Sequence, residues 1–373
     1  MSLASSQMAS DSERLTVRLL SSGSKIEDPS SGVSIRLDDQ GRWCTFRRQG
    51  GFFRRCLDGL VVKGAGEDVV PEHDKAFLIA EIQRQVRDWG NLVTDPRLSS
   101  LLAQAEKYDD EYYKRLARLY ADVYPEAVPI LPPDRYGDLV IQPARGCPNR
   151  ACTFCAFYQD KPFRVLSEQE LDNHLSGILE LFGLGLAGKD GVFLGSANAM
   201  ALSQRRLMHS IGQIKSRFGR FNRGIAAFAD PDYSAKRTES DWQDLFTGGL
   251  RQLVIGLETG WGDLRQKLGK AGDLTAVRQA VTDYKEAGIS VGLTVLTGAC
   301  PAGDVVENVE RTTGFIARLG LEPSDLVYLS PLSGKSSCEA LREKERRLLK
   351  KHLTEYSDAK TVSYQMQRFR YYA

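Results

Sequence analysis

The chain has 373 residues, 42% of them apolar and 26% charged, which is ordinary globular usage and excludes a disordered polymer. Fifty Lys plus Arg against 48 Asp plus Glu leave a formal charge of +2, so the composition does not describe a protein built to coat nucleic acid. No apolar run approaches the roughly 20 residues of a membrane span and the start carries no signal-peptide core; the reading is a cytoplasmic protein with no membrane partner.

Residues 1–13 read as a disordered leader. Residues 33–62 alternate short apolar or aromatic runs with turn signals at Asp39-Gln40-Gly41 and Gln49-Gly50-Gly51, which predicts a small antiparallel meander. Residues 72–89 and 98–122 have helical spacing and complete an N-terminal extension over 14–134. The meander interleaves Arg36, Arg42, Arg47, Arg48, Arg54 and Arg55 with Trp43, Phe46, Phe52 and Phe53. These residue types suit phosphates and bases, yet strand alternation also sends arginines to one face and aromatics to the other, as in a half-buried sheet. A nucleic acid is therefore the less favoured partner.

Pro125, Pro129, Pro132 and Pro133 punctuate residues 124–134 and mark a boundary. Beyond it, strand-like runs at 138–144, 191–197, 224–229, 252–258, 290–296 and 325–331 alternate with helical stretches at 167–182, 203–218, 239–250, 273–288, 303–319 and 339–355. Six such repeats predict an α/β fold of parallel strands with helices outside, either an open doubly wound sheet or a (β/α) barrel. Ser167 and Glu170 form a capping box that sets the start of the first of these helices. The main unit is 135–332, followed by a C-terminal helix and tail over 333–373. In that tail Tyr364, Arg368, Arg370, Tyr371 and Tyr372 suit either a final strand beside the barrel mouth that lines the substrate space, or simple edge packing. In such folds the residues that follow each strand are where function is sought.

Of seven cysteines, Cys147, Cys152 and Cys155 alone cluster, as C-x4-C-x2-C directly after the first strand. An odd number with one cluster argues for reduced thiols and a metal site. A cubane iron–sulfur cluster takes soft thiolate ligands, and three of them leave one iron open to an exogenous ligand. Zinc is a weaker alternative: it prefers four ligands, and His73, His174, His209 and His352 lie on predicted helices or away from the loop. A non-catalytic iron–sulfur electron-transfer or sensor protein is a further reading. Cys44, Cys56, Cys300 and Cys338 are scattered without paired spacing and do not describe a second cluster.

The triad, with Phe154 before its last cysteine, resembles the signature of the radical S-adenosylmethionine superfamily, although the usual spacing is C-x3-C-x2-C. The resemblance spans about residues 138–332, and its later stretches are most similar to the branch with the oxygen-independent coproporphyrinogen oxidase and the elongator and methylthiotransferase-like enzymes. It implies a partial (β/α)6 TIM-like barrel and an oxygen-sensitive enzyme. Cys147, Cys152 and Cys155 would hold a [4Fe-4S] cluster with S-adenosylmethionine on its open iron, and a flavodoxin or ferredoxin would be the reductant. The implied reaction is reductive cleavage to a 5′-deoxyadenosyl radical, which abstracts a hydrogen from an unidentified substrate. Transfer of a 3-amino-3-carboxypropyl or methyl group is the alternative.

The same resemblance places cofactor contacts at the strand ends. Phe154 lies near the adenine. Gly195, Ser196, Ala197 and Asn198 stand where a Gly-Gly-Glu commonly receives the methionine amino group; small residues permit backbone approach and Asn198 offers a neutral acceptor. Asp230 would meet ribose hydroxyls, or cap a helix. Glu258 would accept from the ribose or amino group, and a carboxylate closing a buried strand is unusual without a partner. Lys270 would meet the methionine carboxylate, or be a solvated surface lysine. Thr297, Gly298, Leu329 and Ser330 would wall the adenine, or be simple turns.

Overall fold

The computed structural model describes residues 7–9, 14–20, 22–64, 68–195, 197–332, 339–364 and 369–373. It divides into two units: Met1–Ala127 with Ser176–Lys189 and Arg370–Ala373, and Val128–Leu175 with Asp190–Phe369. No described helix is long and apolar enough to cross a membrane.

The first unit holds an eight-stranded sheet in sequence order: β1 (Gln7–Ala9), β2 (Thr16–Leu20), β3 (Gly23–Asp28), β4 (Val33–Leu37), β5 (Trp43–Arg48), β6 (Gly51–Arg55), β7 (Val61–Lys63) and β8 (Asp68–Val69). Each strand is antiparallel to the next. The meander expected over 33–62 is thus the centre of a larger sheet, and Gln7–Ala9, expected in a disordered leader, pair with Thr16–Arg18. Short polar strands such as β3, Gly-Ser-Lys-Ile-Glu-Asp, carry little alternation, and their pairing supplies what pattern does not.

The arginines of this sheet find partners inside the unit. Arg42 is buried, donating to Asp38 at 2.6 Å and to the carbonyls of Leu181 and Phe182 at 2.8 and 2.7 Å. Arg55, also buried, donates to the Trp43 carbonyl at 2.7 Å, so the two-faced alternation is broken at both positions. Arg36 donates to Ser22, Arg48 pairs with Glu81, and Arg47 and Arg54 lie over the Phe52 ring.

Three helices follow: α1 (Glu72–Gly90), α2 (Pro96–Glu106) and α3 (Asp110–Val123). The single helix expected over 98–122 is two. Asp109 accepts from the Tyr112 N–H at 2.7 Å and starts a new helix, a local cap that apolar spacing does not report.

The second unit opens with β9 (Leu139–Ile141) and a small hairpin of β10 (Ala144–Arg145) with β11 (Arg164–Val165). Then α4 (Glu168–Phe182), whose residues from Ser176 onward belong to the first unit, β12 (Val192–Leu194), α5 (Gln204–Phe218), β13 (Ile225–Ala229), α6 (Glu239–Thr247) and β14 (Leu250–Glu258) follow. The chain continues through α7 (Gly262–Lys267), α8 (Thr275–Glu286), β15 (Ser290–Thr297), α9 (Val305–Ala317), β16 (Leu326–Pro331), α10 (Glu339–Tyr356) and β17 (Lys360–Ser363). Strands β9, β12, β13, β14, β15, β16 and β17 form one open parallel sheet in that order. The six strands expected are present. The helix and tail expected over 333–373 supply α10 and a seventh strand, β17, alongside β16. The capping box forms at α4: Ser167 N–H to Glu170 at 2.8 Å, Glu170 N–H to Ser167 at 3.2 Å.

Side chains from β13, β14, β16 and β17 converge on one cluster: Val254, Tyr328, Ile130 and Tyr364, with Phe228 and Val362 packed against it. These side chains share one face of the sheet, which serves as the inner face of a partial barrel. From β15, Gly292 faces the same space, where a Cβ would lie 2.7 Å from the Tyr328 ring and 3.0 Å from Val254. Beneath the cluster, near where the strands begin, Arg135 donates to Gln252 at 2.6 Å and Tyr328 donates to Asp134 at 2.6 Å, closing that end with a satisfied polar plug.

Candidate active site

The opposite end of the barrel carries the cysteine loop. The β10–β11 hairpin pins its neck. There Gly146 has φ +70°, and a side chain would collide with the Lys161 and Pro162 carbonyls, so glycine is required twice over. Cys147 N–H donates to Lys161 at 3.1 Å and Thr153 N–H to Leu268 at 3.1 Å, which fixes both halves of the loop. Between them Asn149 is buried: its amide donates to the Cys152 sulfur at 3.3 Å and to the Gly269 carbonyl at 3.2 Å, while its carbonyl Oδ1 accepts from Ala151 N–H at 3.1 Å. Burial pushes the Cys147 thiol up to about 11 and the Cys152 thiol up to about 12, so both stay protonated until a bound cation favours the thiolate.

Facing the loop are the ends of β13 and β14. Glu258 has φ +65°, the one non-glycine in the left-handed region among the described residues, and a register irregularity falls between Gly256 and Glu258. Such strain persists where the surroundings over-determine it and is typical of functional positions. Glu258 lies 3.6 Å from Lys270, whose ammonium is also 3.3 Å from Asp230 and donates to the Gly256 carbonyl at 3.1 Å. A Cβ on Gly256 would lie 2.7 Å from that ammonium, so the glycine makes its seat. Burial raises Glu258 above the ordinary carboxylate range, with Lys270 opposing. Burial also works against the Lys270 charge, but Asp230 and Glu258 outweigh it and hold the lysine above its usual value. Lys270 is thus a buried ion and not a solvated surface group, and Asp230 is its partner. Beneath them Arg265, fully buried, donates to the Leu257 carbonyl at 3.3 Å, to the Ala271 carbonyl and to Asp232 at 3.2 Å, tying the segments that carry Glu258 and Lys270.

A second buried network supports the rim. Thr259 donates to Asn308 at 2.6 Å, Asn308 donates to Glu345 at 2.7 Å, and Glu345 accepts from the Gly298 N–H and from the Cys300 thiol. It thereby joins the ends of β14 and β15 to α9 and α10.

The three cysteines, Asp230, Glu258 and Lys270 border one cavity of about 360 Å³, within the size range of small-molecule sites. Phe154, Ala197 and Ser330 also line it; Phe154 additionally borders a neighbouring recess of about 460 Å³ with Trp261, Ala299 and Leu332. The remaining expected residues stand behind this surface. Gly195 N–H donates to Ile141 at 2.7 Å, and a Cβ there would press on Val140 and Gln142. Asn198 is fully buried, donating to the Asp230 carbonyl at 3.3 Å and accepting from Ser234 at 3.4 Å, so its acceptor is engaged within the fold. The Thr297 carbonyl accepts from Leu332, Gly298 is held by Glu345, and the Leu329 carbonyl accepts from Tyr364. Ser196 lies outside the described residues. Asn149, Phe157 and Tyr158 were not legible as site residues, although their positions within or beside the cysteine loop offered the signal.

The donor set fits an iron–sulfur cluster. Three thiols line the cavity with no fourth cysteine or histidine among its described lining residues. Among the described residues no three His, Cys, Asp or Glu are gathered to hold a single ion; a cubane binds each thiolate at a different iron, so its ligands do not surround one point. Ser330 and Tyr364 also line the cavity, and both hydroxyls are buried with no hydrogen-bond partner among the described residues.

No family model matches this sequence, and no curated protein does. Among solved structures, the chain is similar to the cobalamin-dependent S-adenosylmethionine radical enzyme OxsB, with 18% identity over 60% of this chain and 32% of that one and a TM-score of 0.40. It is similar to coproporphyrinogen III oxidase (HemN) from Escherichia coli, a radical SAM enzyme, with 14% identity over 63% and 56% and a TM-score of 0.45. Methylornithine synthase (PylB) matches at 16% identity over 66% and 76%, with a TM-score of 0.42. The chain spans about a third of the length of OxsB and little more than half that of HemN.

Proposed function

We propose that this protein is a radical S-adenosylmethionine enzyme in which Cys147, Cys152 and Cys155 hold a [4Fe-4S] cluster. The observation that carries the reading is the single cavity onto which three thiols and the Asp230–Lys270–Glu258 cluster open together. When bound, such a cluster would supply the one electron for reductive cleavage of S-adenosylmethionine to methionine and a 5′-deoxyadenosyl radical able to take a hydrogen from a substrate. The chain's own residues bind and orient. Asn149 fixes the Cys152 sulfur; Glu258 and Asp230 accept from ammonium or ribose hydroxyls; Lys270 offers the positive charge for a carboxylate. The recess along Phe154, Ala299 and Leu332 would take the adenine.

The test is anaerobic reconstitution followed by reduction. About four irons per chain and release of 5′-deoxyadenosine from S-adenosylmethionine on adding dithionite are expected. Intact S-adenosylmethionine at a confirmed, reduced cluster would leave an electron-transfer or sensor protein. Release of a 3-amino-3-carboxypropyl product or of a methylated acceptor would move the reaction to group transfer.

A further inference from the structure

Asn149 sits between the first two cysteines of the loop and is 4% exposed. Each polar atom of its side chain has a partner: Oδ1 accepts from the Ala151 N–H at 3.1 Å, and Nδ2 donates to the Gly269 carbonyl at 3.2 Å and to the Cys152 sulfur at 3.3 Å. The contacts to Ala151 and Gly269 fix the sense of the amide, because turning it over would set its oxygen against a carbonyl and its NH2 against an N–H. A donor is therefore aimed at Cys152 by groups other than the sulfur itself.

The segment that holds this amide is packed against the loop. Gly269 has φ +80°, and a Cβ there would collide with the Ala151 carbonyl and come within 3.0 Å of the Cys152 Cα. Just past the cysteine, Thr153 N–H donates to the Leu268 carbonyl at 3.1 Å.

Two sulfurs of the loop are treated differently. Cys147 donates its thiol proton to the Asn149 backbone carbonyl at 2.9 Å, a bond that ends when the proton leaves. Cys152 accepts, and a bond from an amide to sulfur strengthens once the sulfur is anionic. One-electron reduction of a cluster adds negative charge to its sulfurs, so a donor placed there favours the reduced form.

We infer that Asn149 is a positioning residue that raises the reduction potential of the cluster by donating to the Cys152 thiolate. This rests on the assignment of the three cysteines as cluster ligands and is independent of what the reduced cluster goes on to do.

The experiment is a dithionite redox titration of the reconstituted full chain, followed by electron paramagnetic resonance of the reduced cluster. Pulsed measurements use protein whose asparagine side-chain amides carry an isotopic nitrogen label. Asn149→Ala removes all three side-chain contacts; Asn149→Asp keeps the acceptor for Ala151 and loses both donors, so the turn of the loop is held. Expected is a coupling of the labelled amide to the wild-type cluster that both variants lose. The midpoint potential is expected to fall in Asn149→Ala by about tenfold in the one-electron equilibrium, about 59 mV, and further in Asn149→Asp, where a carboxylate adds its own charge. No amide coupling in the wild type, or a wild-type potential in either iron-loaded variant, overturns the inference. If that happens while the wild type still releases 5′-deoxyadenosine, only the inference falls. A lowered potential with S-adenosylmethionine left intact supports the inference and overturns the radical reading, and a wild type that takes up no four-iron cluster overturns both.

Discussion

Thr259, the residue after the left-handed Glu258, donates its hydroxyl to Asn308 at 2.6 Å with both side chains buried. Asn308 in turn donates to Glu345, so one amide serves both a strand end and a helix. Asn308→Ala leaves a buried carboxylate short of a donor and is expected to cost about 3 kcal/mol in urea unfolding. It is also expected to weaken S-adenosylmethionine binding, because the backbone that presents Glu258 loses its anchor; unchanged affinity in a folded variant would separate the network from the site.

Replacing Cys147, Cys152 or Cys155 singly with Ser is expected to bring iron per chain after reconstitution close to background, whereas Cys44→Ala and Cys56→Ala, both buried in the first unit, keep the wild-type content. Iron analysis and the thiolate-to-iron absorbance decide it. Full iron retention in any loop variant would mean a different ligand set.

Gly146 and Gly50 share positive φ, at +70° and +87°, but only Gly146 has carbonyls in the way of a side chain. Gly50→Ala should cost about 1 kcal/mol for the backbone alone, and Gly146→Ala about 3 kcal/mol or more together with poor cluster uptake. Equal unfolding midpoints for the two variants would contradict the close approach.

Lys270→Met strips the cation from Asp230 and Glu258, a change expected to cost about 3–5 kcal/mol at neutral pH. Its pH dependence has a definite sign. Glu258 is raised above its ordinary 4.5 by burial, opposed by Lys270 and Arg265 and reinforced by Asp230. The folded state therefore holds that proton more readily than the unfolded chain, and stability falls as pH rises through the folded value. Without Lys270 the upward shift grows, so the deficit against wild type should be largest above neutrality and shrink toward pH 4 to 5, as read by denaturant midpoints across pH.

The parallel sheet was legible because buried strands such as Leu-Val-Ile and Val-Phe-Leu are unbroken apolar runs separated by helices with their own start signals. Strand β17, Lys-Thr-Val-Ser, is an edge strand half in solvent and carries no such run, so only its pairing with β16 shows it. The cysteines announced themselves by spacing. The Asp230–Lys270 contact did not, since forty positions separate the two and the sheet alone decides that they meet. Nor did the contacts of Asn198: its residue type suits a ligand contact, and the fold also engages it with Asp230 and Ser234.

Among the described residues strand β17 lies at one margin of the sheet, paired with β16 alone, and it delivers Tyr364 to the cavity lining. The thiol loop and the charged rim are held by internal strands and two buried networks, where most changes are costly. A substitution at Tyr364 is therefore expected to alter the cavity lining while disturbing one ladder, with the thiol loop and the charged rim left as they stand.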